Sequence, residues 1–164
     1  MRLSITCVLV LGVLSPALAA APTEVDCPSG TQREGDASEQ WCERFDVFSA
    51  KAQRHGPAVA RHPDGTLRQR GTYRNGRMDG PWREWLVDGT LRVAADYSLG
   101  QLHGTYKETT DSGIRLVGAY HNGVRHGTWT TFDEEGGVMT RGRYRKGKRH
   151  GSWRTTLEGG QHLV

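Results

Sequence analysis

Several columns of residues recur along this chain with one period of about 24, and nothing else in the sequence constrains the fold as tightly. Tyr73, Tyr97, Tyr120 and Tyr144 are spaced 24, 23 and 24 residues apart, and Gly76, Gly100, Gly123 and Gly147 each follow three residues behind a tyrosine. A second glycine series runs Gly56, Gly80, Gly104, Gly127 and Gly151, with His55, His103, His126 and His150 directly ahead of four of its members. Trp82, Tyr106, Trp129 and Trp153 stand two residues beyond this series, and a third glycine series runs Gly65, Gly89, Gly113 and Gly136. A fixed period of this length marks an array of one small unit that buries its apolar side only against its neighbours.

Each unit reads as two strands. The pairs Asn75-Gly76 and Asn122-Gly123 are tight hairpin turns, and Asp88-Gly89 predicts a two-residue turn with positive φ at both central residues. With Val87 and Thr90 flanking that turn, Leu86 faces Leu91, Glu84 faces Val93 and Trp82 faces Ala95. On the other side of the strand, Tyr73 is expected opposite Trp82 and Gly71 opposite Glu84. Both registers place the same residues on the same face.

The face called A here carries the apolar set: Leu67, Leu86, Leu91, Val93, Ile114, Leu116 and Val138, with a spine of Tyr73, Trp82, Tyr97, Tyr106, Tyr120, Trp129, Tyr144 and Trp153. Large rings fall across from small residues, Trp82 from Ala95, Tyr106 from Gly118 and Trp129 from Gly142, so each ring can cover a bare stretch of backbone. Face B carries Arg68, Arg70, Arg83, Arg92, Lys107, Arg115, Arg141, Arg143 and Arg154, with Asp96 as its one acid and threonines between. No helical periodicity competes after residue 20. The expected fold is all-β: an elongated, single-layer, twisted antiparallel meander of eight or nine strands, about 40 Å along the stack.

The ends differ from the middle. Arg2, the apolar run Cys7–Leu14 and the small residues of Ala17-Leu18-Ala19 predict a cleaved secretory signal over residues 1–19. Residues 20–53 form an acidic N-terminal segment, in which residues 20–46 hold Glu24, Asp26, Glu34, Asp36, Glu39, Glu43 and Asp46 against Arg33 and Arg44. Residues 54–157 hold the repeats and 158–164 a tail. After cleavage the chain keeps Cys27 and Cys42, and an even pair in an exported protein predicts a structural disulfide. Its 15-residue loop is worth roughly 3 kcal/mol in chain entropy. With 22 glycines and 35% hydrophobic residues, a thick two-layer core is not expected.

These columns resemble the MORN repeat, whose unit runs Tyr, Gly and then a Gly-Lys-x-His-Gly turn, present here as Gly147-Lys148-Arg149-His150-Gly151. Gly151-Ser152-Trp153 and Gly80-Pro81-Trp82 resemble most closely the variant branch called YwqK-type antitoxin repeats. The resemblance covers residues 54–157. It implies successive hairpins in one elongated sheet, used for scaffolding, protein contacts and, in some members, membrane association.

No catalytic, cofactor or metal site is expected. Equivalent histidines of successive units lie near 10 Å apart, too far to share a metal whose ligands sit about 2.0–2.1 Å from it. His55, His62, His121 and His162 are single loop residues. Glu84 and Glu108 are likewise a full unit apart, which suits strand acids offsetting arginines better than acid–base catalysis. No nucleophile elbow or phosphate-cradling loop occurs. The expectation is a non-enzymatic, exported, periplasmic or extracellular scaffold that binds another protein. Two alternatives stand beside it: peripheral binding of an anionic membrane surface through face B, and an immunity or antitoxin-like inhibitor suggested by the family resemblance. Nucleic acid is disfavoured, because aromatics do not interleave with the face B arginines.

Overall fold

The computed structural model describes residues 24–156 and 162–163, so the expected signal segment lies outside the described residues, as does most of the tail. The strands are β1 (Gln32–Gly35), β2 (Glu39–Asp46), β3 (Lys51–Arg61), β4 (Leu67–Arg74), β5 (Arg77–Met78), β6 (Gly80–Trp85) and β7 (Leu91–Ser98). The remainder are β8 (Gln101–Thr109), β9 (Arg115–His121), β10 (Val124–Phe132), β11 (Val138–Arg145), β12 (Lys148–Thr156) and β13 (His162–Leu163). They make one open antiparallel sheet in chain order, with β5 pairing β4 just ahead of β6. The chain is therefore all-β and meandering.

The sheet is larger than eight or nine strands for a physical reason. The acidic segment ahead of the repeats does more than cover the first repeat strand: it extends the sheet as β1 and β2, with β2 hydrogen-bonded to β3. The Cys27–Cys42 disulfide ties the stretch before β1 onto β2, with Cα atoms 5.6 Å apart and Cys42 fully buried. Gly56 on β3 packs against this bridge, where an added Cβ would meet Pro28 at 3.1 Å and Cys42 at 3.2 Å.

Turns along the two long edges differ in kind. At Asn75-Gly76, Leu99-Gly100, Asn122-Gly123 and Lys146-Gly147 both residues have positive φ, the geometry of a tight two-residue hairpin. Along the other edge, Gly89 alone has positive φ, and the turn closes through Gly89 N–H to Leu86 O at 3.0 Å and Leu86 N–H to Thr90 O at 2.9 Å. The two-residue turn expected at Asp88-Gly89 is thus a longer one. Leu86 sits inside it, and Trp85 rather than Leu86 pairs with Leu91.

The second glycine series marks a bulge in each unit. Gly56, Gly80, Gly104, Gly127 and Gly151 all have positive φ. Across such a bulge the pairing jumps by two: Tyr144 pairs with Arg149, yet Arg141 pairs with Arg154. The same device corrects the register expected between β4 and β6. Gln69 pairs with Glu84 and Arg70 with Arg83, which puts Gly71 rather than Tyr73 in line with Trp82. A shift of two leaves side chains on their faces through the strand middles. One-residue shifts, where Arg61 pairs with Leu67, Trp85 with Leu91 and Phe132 with Val138, break the alternation at those turn ends, where Leu91 and Val138 are exposed.

A single layer has no second sheet to pack on, so burial comes from rings lying over neighbouring backbone. Trp82 is 4% exposed and Trp129 2%. A Cβ on Gly71 would fall 1.7 Å from the Trp82 ring, on Gly118 2.2 Å from Trp129 and on Gly142 2.1 Å from Trp153. Each tryptophan therefore covers the glycine eleven residues before it. Trp129, not Tyr106, fills the space over Gly118. Where the small residue is Ala95 instead of glycine, its partner from the next strand is Tyr106.

Candidate functional site

Face A is an aromatic ladder stitched edge to face. Tyr73 and Trp82 have ring centroids 5.4 Å apart, Tyr120 and Trp129 5.1 Å, Trp129 and Tyr144 6.0 Å, and Tyr144 and Trp153 5.2 Å, all T-shaped. Each spine tyrosine sits across from a bulge glycine of the preceding strand: Tyr73 from Gly56, Tyr97 from Gly80, Tyr120 from Gly104 and Tyr144 from Gly127. The eight spine rings thus pack on one another and on the backbone of the sheet.

Face A is not purely apolar, and here the sequence reading missed a column. Arg54, Met78, Leu102, Arg125 and Arg149 occupy one position of the repeat, beside the rings. Arg54 lies 4.2 Å from the Trp41 ring centre, Arg125 4.4 Å from that of Trp129, and Arg149 4.2 Å from that of Trp153. Arg125 also donates to the Tyr144 hydroxyl at 3.2 Å. Burial pushes the Tyr144 hydroxyl up, but hydrogen bonds from Arg125 and Arg149 outweigh it and hold the group below the ordinary tyrosine value. The spacing of 24, 24, 23 and 24 was available to find this column. Its mixed residue types hid it.

The face B residues fall into two clusters. One row of cross-strand partners runs Arg70, Arg83, Ala94, Lys107, Val117, Thr130, Arg141 and Arg154. Arg70 thus faces Arg83, and Arg141 faces Arg154, with Ala94, Val117, Thr130 and the single base Lys107 between the clusters. Like charges directly opposite one another cost stability. At the first pair the cost is relieved: Arg83 reaches Asp96 at 3.6 Å and donates to the Trp82 and Ala95 carbonyls. At the second, Arg141, Arg143 and Arg154 are exposed and no carboxylate among the described residues pairs with them. Arg115 stacks 5.2 Å from the Phe132 ring centre, and Arg68 and Arg92 line a shallow depression with His62, Glu84 and Trp85.

The histidines sit differently from expectation. His121 lies between two repeat histidines, with ring centroids 4.8 Å from His103 and 5.9 Å from His126, because the tight Asn122-Gly123 turn folds β10 back beside it. His103 meets the Asn122 side chain at 3.1 Å, as His55 meets Asn75 at 3.1 Å. Among the described residues no group of three His, Cys, Asp or Glu is arranged to hold a metal ion. Glu84 and Glu108 are separated by Val93 on the strand between them, and they hydrogen-bond Gln69 and the Tyr106 hydroxyl respectively.

A second feature escaped the sequence reading. The end of β2 and the turn after it hold Phe45, Val47 and Phe48, exposed to 63%, 74% and 99%. An unusual run of apolar residues in an acidic segment was its only signal.

The MORN repeat family model matches residues 70–81, 117–128 and 141–152. Each stretch holds a spine tyrosine, its hairpin turn and the following bulge glycine. The chain carries MORN repeats, which suggest a repeat protein with a binding role; the match does not single out the YwqK-type branch. No curated protein matches the chain.

Proposed function

We propose that this chain is a non-enzymatic, exported interaction scaffold of the cell envelope, and that it docks an acidic protein on the C-terminal cluster of face B. The observation that carries this reading is Arg141 held directly opposite Arg154, with Arg143 beside them and no acid among the described residues to offset the charge. Placing like charges in register costs stability and gives the sheet nothing by itself. An anionic partner would turn that cost into affinity and a faster encounter. Export rests on the signal-like residues 1–19 and agrees with a buried disulfide.

The same cluster supports a second reading, peripheral contact with an anionic membrane surface. One pair of experiments separates the two. Wild-type protein and the variant with Arg141→Glu and Arg143→Glu are used to capture partners from envelope extract at low and high salt, and are sedimented with anionic vesicles. A protein retained by wild type and lost by the variant supports the first reading. Vesicle binding that salt and the variant both abolish supports the second. Neither result, with both proteins folded, removes face B as a binding surface.

A further inference from the structure

We propose that the two ends of the sheet recognise each other in different copies, joining the protein head to tail through β1 of one molecule and β12 of the next. The ends are opposite in charge. The region around β1 and β2 carries Glu24, Asp26, Glu34, Asp36, Glu39, Glu43 and Asp46 against Arg33 and Arg44. Residues 139–154 carry seven bases and no acid.

Both ends offer unpaired backbone. Among the described residues β1 pairs only β2, and β12 beyond β11 pairs β13 only at Thr155 and Thr156. Among the described residues, Lys148–Arg154 meets no strand on its outer side. Such a row of free N–H and C=O groups is a template for an added strand.

The register agrees with the charge. Following cross-strand partners through the sheet, Glu34 leads to Trp41, Ala58 and Gly71, then to Trp82, Ala95, Tyr106 and Gly118, and on through Trp129 and Gly142 to Trp153. Glu34 and Trp153 therefore stand in one row, on one face, at opposite ends. Trp129 has Tyr144 on its far side and donates its indole N–H to Ala119 O at 3.1 Å. Trp153 has neither: no further tyrosine follows it, and its Nε1 is buried without a hydrogen-bond partner. The Trp153 ring leans inward over Gly142, so its outer flank at the sheet edge lacks the tyrosine that covers Trp129. That flank is what an incoming β1 with Glu34 in the same row would cover. β1 and β12 run in the same direction along the sheet, so the joint is a parallel pair. Because the contact uses two different surfaces, it repeats head to tail and builds open chains, or rings where the rotation between copies closes.

Light scattering tests this on the oxidised protein. At low salt the average mass should rise with concentration to multiples of one chain, and high salt should return it to one chain. Glu34→Lys alone and the variant with Lys148→Glu and Arg154→Glu should each stay at the mass of one chain, with unchanged circular dichroism. Mixing the two should restore association, because each then offers the other a complementary end. Carbodiimide should couple acids of the 24–46 segment to Lys146 or Lys148, and ends ~50 Å apart in one molecule make such a link intermolecular. A wild-type protein that stays at one chain at every concentration in low salt overturns the proposal, even if it captures some other acidic protein. So does undiminished association of the Glu34→Lys variant.

Discussion

The ring of Trp129 occupies the space that a Gly118 side chain would need, with a Cβ at that glycine falling 2.2 Å from Trp129 Cδ2. Gly118 has ordinary extended backbone, so only space, not conformation, keeps a side chain out. Gly118→Val should therefore lower stability by roughly 1–3 kcal/mol through overpacking. Ala119→Val, the next residue on the opposite face, should cost far less. Thermal melts of the two variants decide it, and equal melting temperatures would contradict the ring-over-glycine packing.

Leu99 holds φ 50° in a tight turn whose counterparts are Asn75 and Asn122. A left-handed conformation costs a leucine on the order of 1 kcal/mol, and asparagine much less. Leu99 is also 59% exposed, so little packing is lost by replacing it. Leu99→Asn should raise the melting temperature by a few degrees. An unchanged or lower value would show that the side chain contributes more than the turn costs.

Reducing the Cys27–Cys42 bridge should destabilise the N-terminal end by roughly 2–4 kcal/mol. The loss should be local. Amide exchange should quicken in β1 and β2 and leave β8–β10 protected. Uniform loss of protection across the sheet would instead mean that it unfolds as one unit.

Burial, then the hydrogen bond to Glu108, raises the Tyr106 hydroxyl well above the ordinary tyrosine value. The folded state thus favours the neutral phenol, and its stability from this group is complete below about pH 10, where an unfolded tyrosine titrates. Above that pH the unfolded chain releases a proton that the folded chain retains, so stability should fall as alkalinity rises. Denaturant midpoints between pH 8 and 11 should drop less steeply in Tyr106→Phe. Parallel curves would assign the alkaline loss to other groups.

Strand alternation made both faces legible, and the period of 24 made the meander legible, because both survive errors of two in register. The bulges at Gly56, Gly80, Gly104, Gly127 and Gly151 introduce such steps of two. The sequence therefore placed Trp82 on the correct face while misplacing it relative to Gly71 and Tyr73. What it could not show depends on where long side chains lie. Arg125 and Arg149 belong to no column that the sequence marked, yet they stack on Trp129 and Trp153. His121 read as isolated, because its neighbours at His103 and His126 belong to other strands.

The burial of each tryptophan over a glycine eleven residues upstream also bears on how the molecule can change length. The groups that cover Trp129 come from its own strand, from the strands beside it and, with Tyr106, from one strand further, all within about one period of chain. No contact spans the whole domain and would have to be rebuilt if a unit were gained or lost. Duplicating or excising 24 residues should leave both flanks in register and shift only the distance between the ends. Size is then a quantity that selection can adjust in whole steps, and contacts this local favour rapid folding from any starting point along the chain.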